Sequence, residues 1–225
     1  MPSLFQIFKT VETAFSIWII SIANYYFNNQ RFKMFKILIK MGSWMSSKIK
    51  LWEIAEDDEP IEVDTENFDA SNLEERLESW IETNPNILGE NFFIINRQHK
   101  LSNGEKIDLL AIDEEGKLVI IELKRGKGRR EAIAQVLDYE TMLSETTEEE
   151  LNEIALTYFE ENKMDYESLR DAFQDEFGNR DVSFNNARRT FVIAPELDLH
   201  TERVINYLSS TYGMDINAIT FTYYK

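Results

Sequence analysis

Apolar and polar positions recur with different periods along the chain from residue 71 onward. Between residues 73 and 81 apolar side chains recur at helical spacing, and Asn84-Pro85 ends this predicted helix because proline disfavours helical backbone in the residue before it. Runs rich in isoleucine, leucine and valine then indicate three strands, which span residues 92–98, 106–112 and 118–124. A second helix is predicted over residues 128–143.

The rest of this region continues the mixture of helices and strands. Residues 140–176 combine apolar side chains at helical spacing with an excess of acidic ones, which predicts amphipathic helices that pack through one face. Beyond them we expect a strand over 190–194, a helix over 201–211 and a strand over 216–223. This order of elements is typical of an α/β domain with a mixed central sheet flanked by helices.

Residues 13–27 form an uncharged and strongly apolar stretch near the N-terminus. Its length is at the lower limit for a helix that spans a bilayer, and the basic residues that follow would then hold the next part of the chain in the cytoplasm. Two other interpretations stay open. The stretch can be a helix that packs on the body or on a second copy in a homodimer, or translation can start at a later methionine of this segment.

The distribution of charge divides the chain further. Residues 1–50 contain seven lysine or arginine residues and one glutamate, a net charge of +6, whereas the whole chain of 225 residues carries −17. We predict a hydrophobic and basic helical extension over 1–50, an acidic linker over 51–70 and the α/β domain over 71–225. The overall acidity argues against broad, nonspecific coating of nucleic acid.

The contents of cysteine and histidine exclude several kinds of site. The chain has no cysteine, so it has neither disulfides nor thiolate metal sites, and its two histidines, His99 and His200, are too few and too far apart to indicate a zinc cluster. A reducing cytoplasm is the simplest compartment for such a chain, with membrane association through residues 13–27 as the open addition.

Three charged residues stand out within the apolar strands. Asp108 falls in the second predicted strand, and Glu122 and Lys124 in the third share one face because strand side chains alternate. Gly116 marks a hairpin turn that would place the two strands side by side. Buried charges need compensation, and Mg²⁺ or Mn²⁺ would supply it because both prefer carboxylate oxygens. Asp108 and Glu122 are therefore the candidate metal ligands.

These residues, taken in order, resemble the PD-(D/E)xK nuclease superfamily and, within it, the C-terminal catalytic domain of the NucS/EndoMS-type prokaryotic endonucleases. The resemblance covers residues 71–143 well and extends more loosely through 191–224. Its motifs are Glu74-x-x-Leu77 with Asn84-Pro85, Gly104 to Asp108, Ile121-Glu122-Leu-Lys124-Arg-Gly126, and Gln135-x-x-x-Tyr139.

The resemblance implies a restriction-endonuclease-like fold and an Mg²⁺- or Mn²⁺-dependent endonuclease that hydrolyses DNA in repair, recombination or defence. It implies that Asp108 and Glu122 bind the metal and that Lys124 orients or activates the attacking water. Gln135 and Tyr139 would assist the active centre, and their spacing of four places both on one helix face.

A further carboxylate is expected from the first helix. The resemblance favours Glu74, but Glu74 also completes a capping box with Ser71, in which its carboxylate would bond back to the Ser71 amide. Glu75 and Glu78 are the alternatives if the helix has a different phase.

Basic residues beside the proposed site indicate where DNA phosphates would lie. This track is equally typical of a solvated loop, and Arg188 and Arg189 form a second, weaker candidate. The residues of the track are Arg125, Lys127, Arg129 and Arg130.

Residues 1–50 are shorter and more hydrophobic than the separate N-terminal domain through which the family dimerises and helps to bind DNA. The alternative function is therefore a noncatalytic nuclease-fold module that binds DNA or protein, associated with a membrane through residues 13–27. RNA as a substrate is also compatible with the motif, because this metal chemistry acts on a phosphodiester whatever the sugar.

Overall fold

The computed structural model describes the chain in six segments, namely residues 19–23, 34–39, 52–54, 60–62, 73–128 and 130–223. The strands in chain order are β1 Ile19–Ala23, β2 Met34–Ile39, β3 Trp52–Ile54, β4 Pro60–Glu62, β5 Phe92–Lys100, β6 Lys106–Asp113, β7 Leu118–Leu123, β8 Lys127–Gly128, β9 Arg188–Ala194, β10 Glu196–Leu197 and β11 Ile216–Tyr223. The helices are α1 Leu73–Thr83, α2 Arg130–Leu143, α3 Glu148–Glu161, α4 Leu169–Phe177 and α5 Leu199–Tyr212, with a short 3₁₀ helix at Pro85–Leu88.

Five long strands from residue 92 onward form a mixed sheet in the spatial order β11-β9-β7-β6-β5. Strands β5, β6 and β7 form an antiparallel meander, whereas β9 runs parallel to both β7 and β11. All five helices pack against this sheet or against one another. The predicted mixed α/β fold with a central sheet flanked by helices is therefore confirmed.

Strands β6 and β7 lie in the middle of the core. Every residue of β7 is buried, and so is every residue of β6 except Lys106. A strand that is covered on both faces needs an almost continuous apolar run, which is the pattern seen in the sequence. Each fully buried aliphatic side chain contributes about 1.5–3 kcal/mol to folding. Two residues of these strands reduce this gain, because burial of a charged side chain costs free energy. They are Asp108 and Glu122, whose exposed fractions are 8% and 2%.

A tight turn sets the register between β6 and β7. Asp113 Oδ1 accepts hydrogen bonds from the backbone N–H groups of Glu115 and Lys117, at 3.0 and 2.9 Å, as is typical of an aspartate in a turn. In the resulting ladder Leu109 lies opposite Ile121. The next residue of each strand away from the turn is charged. Asp108 and Glu122 therefore come together at the open end of the hairpin.

Helix α3 confirms the predicted amphipathic character of the acidic region. Its buried residues are Leu151, Ala155, Tyr158 and Phe159, and its glutamates in the first turn are exposed. The Phe159 ring lies 5.8 Å from that of Phe93 on β5 and 5.4 Å from that of Tyr166, in edge-to-face geometry. Such pairs add to the stabilisation from burial alone, so the aromatic cluster fixes α3 beside β5.

The structure differs from the prediction of a helical extension in the two stretches of residues 1–50 that it describes. Both are strands, and β2 pairs antiparallel with β11, so that β2 and β1 extend the central sheet to seven strands. An uncharged apolar run suits a buried strand as well as a helix, and isoleucine favours the strand. The other residues of 13–27 lie outside the described part of the chain. Of the helices that are described, none has the length and apolarity needed to cross a bilayer.

Two three-residue strands, β3 and β4, pair antiparallel within the predicted acidic linker. The division into 1–50, 51–70 and 71–225 stays a prediction, because the residues between these strands and α1 lie outside the described ranges.

We predict that Gly116→Ala destabilises the fold by about 2–3 kcal/mol, whereas Gly104→Ala destabilises it by about 1 kcal/mol. Both glycines have a left-handed backbone, with φ of +79° and +88°, so both variants share the conformational strain. Only at Gly116 would a Cβ meet packed atoms, 2.9 Å from Ser183 O and 3.1 Å from Val182 Cβ. Urea unfolding of the two variants measures the difference, and equal losses of stability would contradict this account.

Candidate active site

The hairpin and its neighbour β5 bring three polar side chains into one row at the end of the sheet. Arg97 and His99 of β5 pair with Leu109 and Ile107 of β6, which places Gln98 opposite Asp108. The β6–β7 register continues the row from Asp108 to Glu122. An amide and two carboxylates from three adjacent strands therefore lie side by side, as the predicted convergence of Asp108 and Glu122 requires.

Neutral donors fix the carboxylate of Asp108. Its Oδ2 accepts a hydrogen bond of 2.7 Å from the Leu123 backbone N–H, and its Oδ1 accepts one of 3.0 Å from Gln98 Nε2. The Leu123 amide belongs to the strand that carries the glutamate of the row, so this bond ties the two halves of the site together. Hydrogen bonds to an ionised group are stronger than neutral ones, about 1.5–3 kcal/mol each.

Glu122 and Lys124 meet on one face of β7, as their spacing of two residues predicts. The Lys124 Nζ donates a hydrogen bond to Glu122 Oε1. The glutamate side chain is almost fully buried, whereas 29% of the lysine side chain is exposed. The ammonium thus neutralises part of a buried charge, while the lysine side chain stays partly exposed to solvent.

A chain of hydrogen bonds leads from Lys124 through α2 back to the start of β6. Lys124 Nζ donates to Gln135 Oε1 at 2.7 Å, Gln135 Nε2 donates to the Tyr139 hydroxyl, and this hydroxyl donates to Lys106 O at 2.9 Å. The ammonium can only donate, so it forces the amide oxygen of Gln135 toward itself and the NH₂ group toward Tyr139. The four-residue spacing on α2 therefore acts as predicted in bringing both side chains to the site.

Tyr139, the tyrosine in this series of hydrogen bonds, stays protonated over a wide pH range. Burial, followed by the negative charge of Glu122, raises the pKa of Tyr139 from 10.0 to about 12. The protonated hydroxyl is needed for its bond to the Lys106 carbonyl, and no part of the Tyr139 side chain is exposed. Tyr139 therefore serves as a fixed hydrogen-bond donor, not as an acid that titrates near neutral pH.

Among the described side chains of α1, the carboxylate that reaches the row is Glu78, one of the alternatives named for the first helix. It is 5% exposed, and its Oε1 accepts hydrogen bonds from Gln98 Nε2 at 3.0 Å and from Arg97 Nε at 2.7 Å. Glu75 is exposed instead. Glu74 is the second residue of α1, but its side chain lies outside the described part of the structure. The helix phase separates Glu78 from Glu75, because the two residues are three apart and only Glu78 is buried beside Leu77. Glu74 stays a prediction.

Sequence reasoning missed the polar network behind Glu78. Arg97 NH1 also donates to Glu82 Oε2 at 2.7 Å, and the Tyr158 hydroxyl of α3 donates to Glu82 Oε1 at 2.9 Å. Burial and the neighbouring Glu82 charge raise the pKa of Tyr158, so this hydroxyl also remains a donor. The one local signal was a polar Arg97-Gln98 pair at the end of an apolar strand, and it does not reveal partners on α1 that are 15 to 20 residues away.

The predicted basic track is only partly described. Arg125 directly follows Lys124 and is exposed, and Arg130 is the exposed first residue of α2. Lys127 lies in β8, but its side chain lies outside the described part, as does the whole of Arg129. The two exposed arginines thus lie beside Lys124 in sequence, and their role in binding phosphate stays a prediction.

The second candidate for phosphate binding is corrected by the structure. Arg189 is only 9% exposed, and its guanidinium contacts carboxylates of Glu90, Asp113 and Asp215 at 2.6, 3.4 and 3.0 Å. It also lies over the rings of Phe92 and Phe191, 5.5 Å from each centroid. Its donors are thus committed to the protein, so Arg189 is a structural residue. Arg188 is half-buried and lies 3.4 Å from Asn185 Oδ1.

The residues present suit a hard divalent cation. Within the described ranges, no group of three or more histidine or acidic side chains is arranged so that it could hold a metal ion. The candidate ligands are therefore the carboxylates of Asp108 and Glu122 from adjacent strands. Mg²⁺ commonly uses only one or two carboxylates and completes its shell with water and substrate phosphate, so this donor set fits it.

Fold and site together define an α/β domain with paired buried carboxylates and a lysine at the open end of its central hairpin. Residues 73–156 match the family model of the endonuclease NucS C-terminal domain. This part of the chain is a NucS-type nuclease-like domain. The matched segment includes all the residues of the row and both hydrogen-bond networks described above, apart from Tyr158.

Curated relatives share this segment at modest identity. Endonuclease NucS of Pyrococcus horikoshii is 28% identical over 142 residues, which cover 61% of this chain and 53% of that protein. Endonuclease NucS of Sulfolobus acidocaldarius is 26% identical over 113 residues, which cover 47% of this chain and 45% of that protein. The chain thus spans about half the length of these relatives.

Solved structures with a similar fold include an EndoMS complex with double-stranded DNA, with a TM-score of 0.41 and 14% identity over 90% of this chain and 83% of that one. A repair endonuclease from Pyrococcus abyssi gives a TM-score of 0.38 and 15% identity over 90% of this chain and 84% of that one.

We predict that the phenol of Tyr139 loses its proton near pH 12 instead of pH 10, because it is buried beside Glu122. At about pH 11 the wild type and Tyr139→Phe should therefore show the same phenolate absorbance, and they should differ only at higher pH. The raised pKa stabilises the fold fully below pH 10, and this contribution disappears as the pH rises through 12. A wild type with one additional phenolate at pH 11 would contradict the assignment.

Proposed function

We propose that this chain is a metal-dependent DNA endonuclease that hydrolyses phosphodiester bonds, with the open end of the β6–β7 hairpin as its active site. The observation that supports this most is the meeting of Asp108, Glu122 and Lys124 in one site within the segment that matches the NucS C-terminal domain. The curated relatives are named endonuclease NucS, which supports endonuclease activity, and the resemblance of the motifs to that family supports DNA as the substrate.

In this proposal Asp108 and Glu122 hold Mg²⁺ or Mn²⁺. A bound divalent cation lowers the pKa of coordinated water and polarises the phosphodiester. Lys124 has two roles of its own: it holds Glu122 in place, and its half-exposed ammonium orients the attacking water or stabilises negative charge that builds up on the phosphorus. Gln135 and Tyr139 position Lys124, because their hydrogen bonds connect it to the Lys106 carbonyl.

The charge of the protein restricts how DNA approaches. The net charge of −17 repels a polyanion at long range, so binding depends on local cations beside the site. Arg125 and Arg130 are exposed next to Lys124 and the start of α2, and backbone N–H groups at a helix start also favour phosphate. We therefore assign phosphate contacts to this side, together with Lys127 and Arg129 of the same track.

A noncatalytic module that binds DNA or protein is the second candidate function. The observation that favours it is the strong acidity of the chain, with a net charge of −17, which opposes the approach of a nucleic-acid substrate. Calorimetry separates the two candidates, because the nuclease should bind Mn²⁺ at millimolar concentration or below, whereas the module should not.

We predict that Lys124→Met lowers Mn²⁺-dependent DNA cleavage by about 100-fold or more, because it removes the ammonium beside the reacting phosphate. Lys117→Met is the matched control. Lys117 also pairs with a glutamate two residues before it, Glu115, and the two lysine side chains are 29% and 30% exposed. Cleavage is measured on single-stranded, branched and mismatched DNA, with and without a chelator, and the control should cleave like the wild type.

The loss of Lys124 leaves a buried Glu122 without its ammonium, which destabilises the fold by several kcal/mol. Circular dichroism therefore accompanies each assay. Glu122→Gln and Asp108→Asn provide the same test because each replaces a buried carboxylate by a neutral amide of the same size, and both should abolish cleavage. Wild-type rates in either variant would reject the proposed active site.

A further inference from the structure

Gln98 is the only described side chain that donates hydrogen bonds to carboxylates of both α1 and the central hairpin. Its Nε2 lies 3.0 Å from Glu78 Oε1 and 3.0 Å from Asp108 Oδ1. A carboxylate can only accept hydrogen bonds when ionised, so the NH₂ group, with its two protons, must face both. The amide thus links α1 to β6, and no other hydrogen bond is described between these two elements.

The backbone at Gln98 has an unusual conformation. Its φ is +55°, in the left-handed region, which a non-glycine residue adopts only at a cost of about 1 kcal/mol or more. The strand also contains a bulge between Ile94 and Asn96. Bulges and left-handed residues turn a side chain away from its regular direction. Here the result is that the Gln98 amide lies between the two carboxylates.

The neighbouring Arg97 carries the charge compensation that an amide cannot provide. Its guanidinium binds Glu78 and Glu82, both at 2.7 Å, and thereby neutralises the α1 side of the contact. The amide itself is uncharged. It therefore satisfies oxygen lone pairs of Asp108 without neutralising the carboxylate, whereas a lysine or arginine at this position would compete with a divalent cation for the same charge.

We infer that Gln98 is a positioning residue for the proposed cleavage reaction: it orients the Asp108 carboxylate for metal binding and couples that orientation to α1 through Glu78. This inference rests on the proposed function. Gln98 touches neither substrate nor metal in this role. Its removal should therefore reduce metal affinity and the rate of the bound complex, while DNA binding remains nearly unchanged.

The experiment compares two variants that remove the amide in different ways. Gln98→Met keeps the length of the side chain but has no donor, and Gln98→Gly removes the side chain while it relieves the strain at a φ of +55°. Asn96→Leu is the matched control, because Asn96 is another amide of β5 and donates to Ile154 O at 3.3 Å, away from the carboxylates. Circular dichroism and urea unfolding show that each variant is folded.

We expect both Gln98 variants to lower kcat by about 10- to 100-fold, as the loss of a hydrogen bond to a charged group predicts, with KM for DNA within about twofold of the wild type. Calorimetry with Mn²⁺ alone, in the absence of DNA, should show an affinity that is about 5- to 10-fold weaker, the size expected when a group that orients a metal ligand is lost. Asn96→Leu should match the wild type in both measurements.

Two results would overturn the inference. If the wild type cleaves DNA and Asp108→Asn does not, but Gln98→Met retains the wild-type kcat and Mn²⁺ affinity, the site is correct and Gln98 has no positioning role. If Gln98→Gly is as active as the wild type and only Gln98→Met is impaired, the loss of activity comes from the way the methionine packs and not from the missing amide. A wild type that neither binds Mn²⁺ nor cleaves DNA would instead refute the proposed function, and the inference with it.

Discussion

The burial of two carboxylates at the open end of one hairpin is the constraint on which the rest of this structure depends. A carboxylate left unpaired in a sheet core would destabilise the fold by several kcal/mol, so Asp108 and Glu122 need partners from their surroundings. These partners come from separate elements: the backbone of Leu123, the amide of Gln98 on β5 and the ammonium of Lys124. The need to give both buried carboxylates a partner thus constrains the position of β5, the register of β6 with β7 and the rotamer of Lys124.

Two hydrogen-bond networks extend from this hairpin to opposite neighbours. One runs through Lys124 to Gln135 and Tyr139 of α2 and returns to the backbone of β6. The other runs from Asp108 through Gln98 to α1 and onward to α3. Each helix is held by packing as well, but the networks specify its rotation, because a polar side chain must face its partner. A change in the docking of either helix would therefore move a carboxylate or the lysine.

The parts of this arrangement that follow local spacing rules were predictable from the sequence. The alternation of strand side chains placed Glu122 beside Lys124, the turn at Gly116 placed Asp108 beside both, and the four-residue helical repeat placed Gln135 with Tyr139. The parts that depend on tertiary packing were not. The contact of Glu78 with Gln98, the left-handed backbone of Gln98 and the pairing of β1 and β2 with the sheet all depend on contacts between distant segments, which no local pattern encodes.

The two ends of the hairpin hold their buried aspartates in different ways. At the turn end, Asp113 shares the guanidinium of Arg189 with Glu90 and Asp215, and the cation is enclosed by aromatic rings. There the protein supplies its own positive charge. At the open end, Asp108 accepts hydrogen bonds from a backbone N–H group and from the amide of Gln98, neither of which carries a positive charge. These two neutral donors hold the carboxylate in position without adding a positive charge beside it, which is the property that the proposed metal ligand requires.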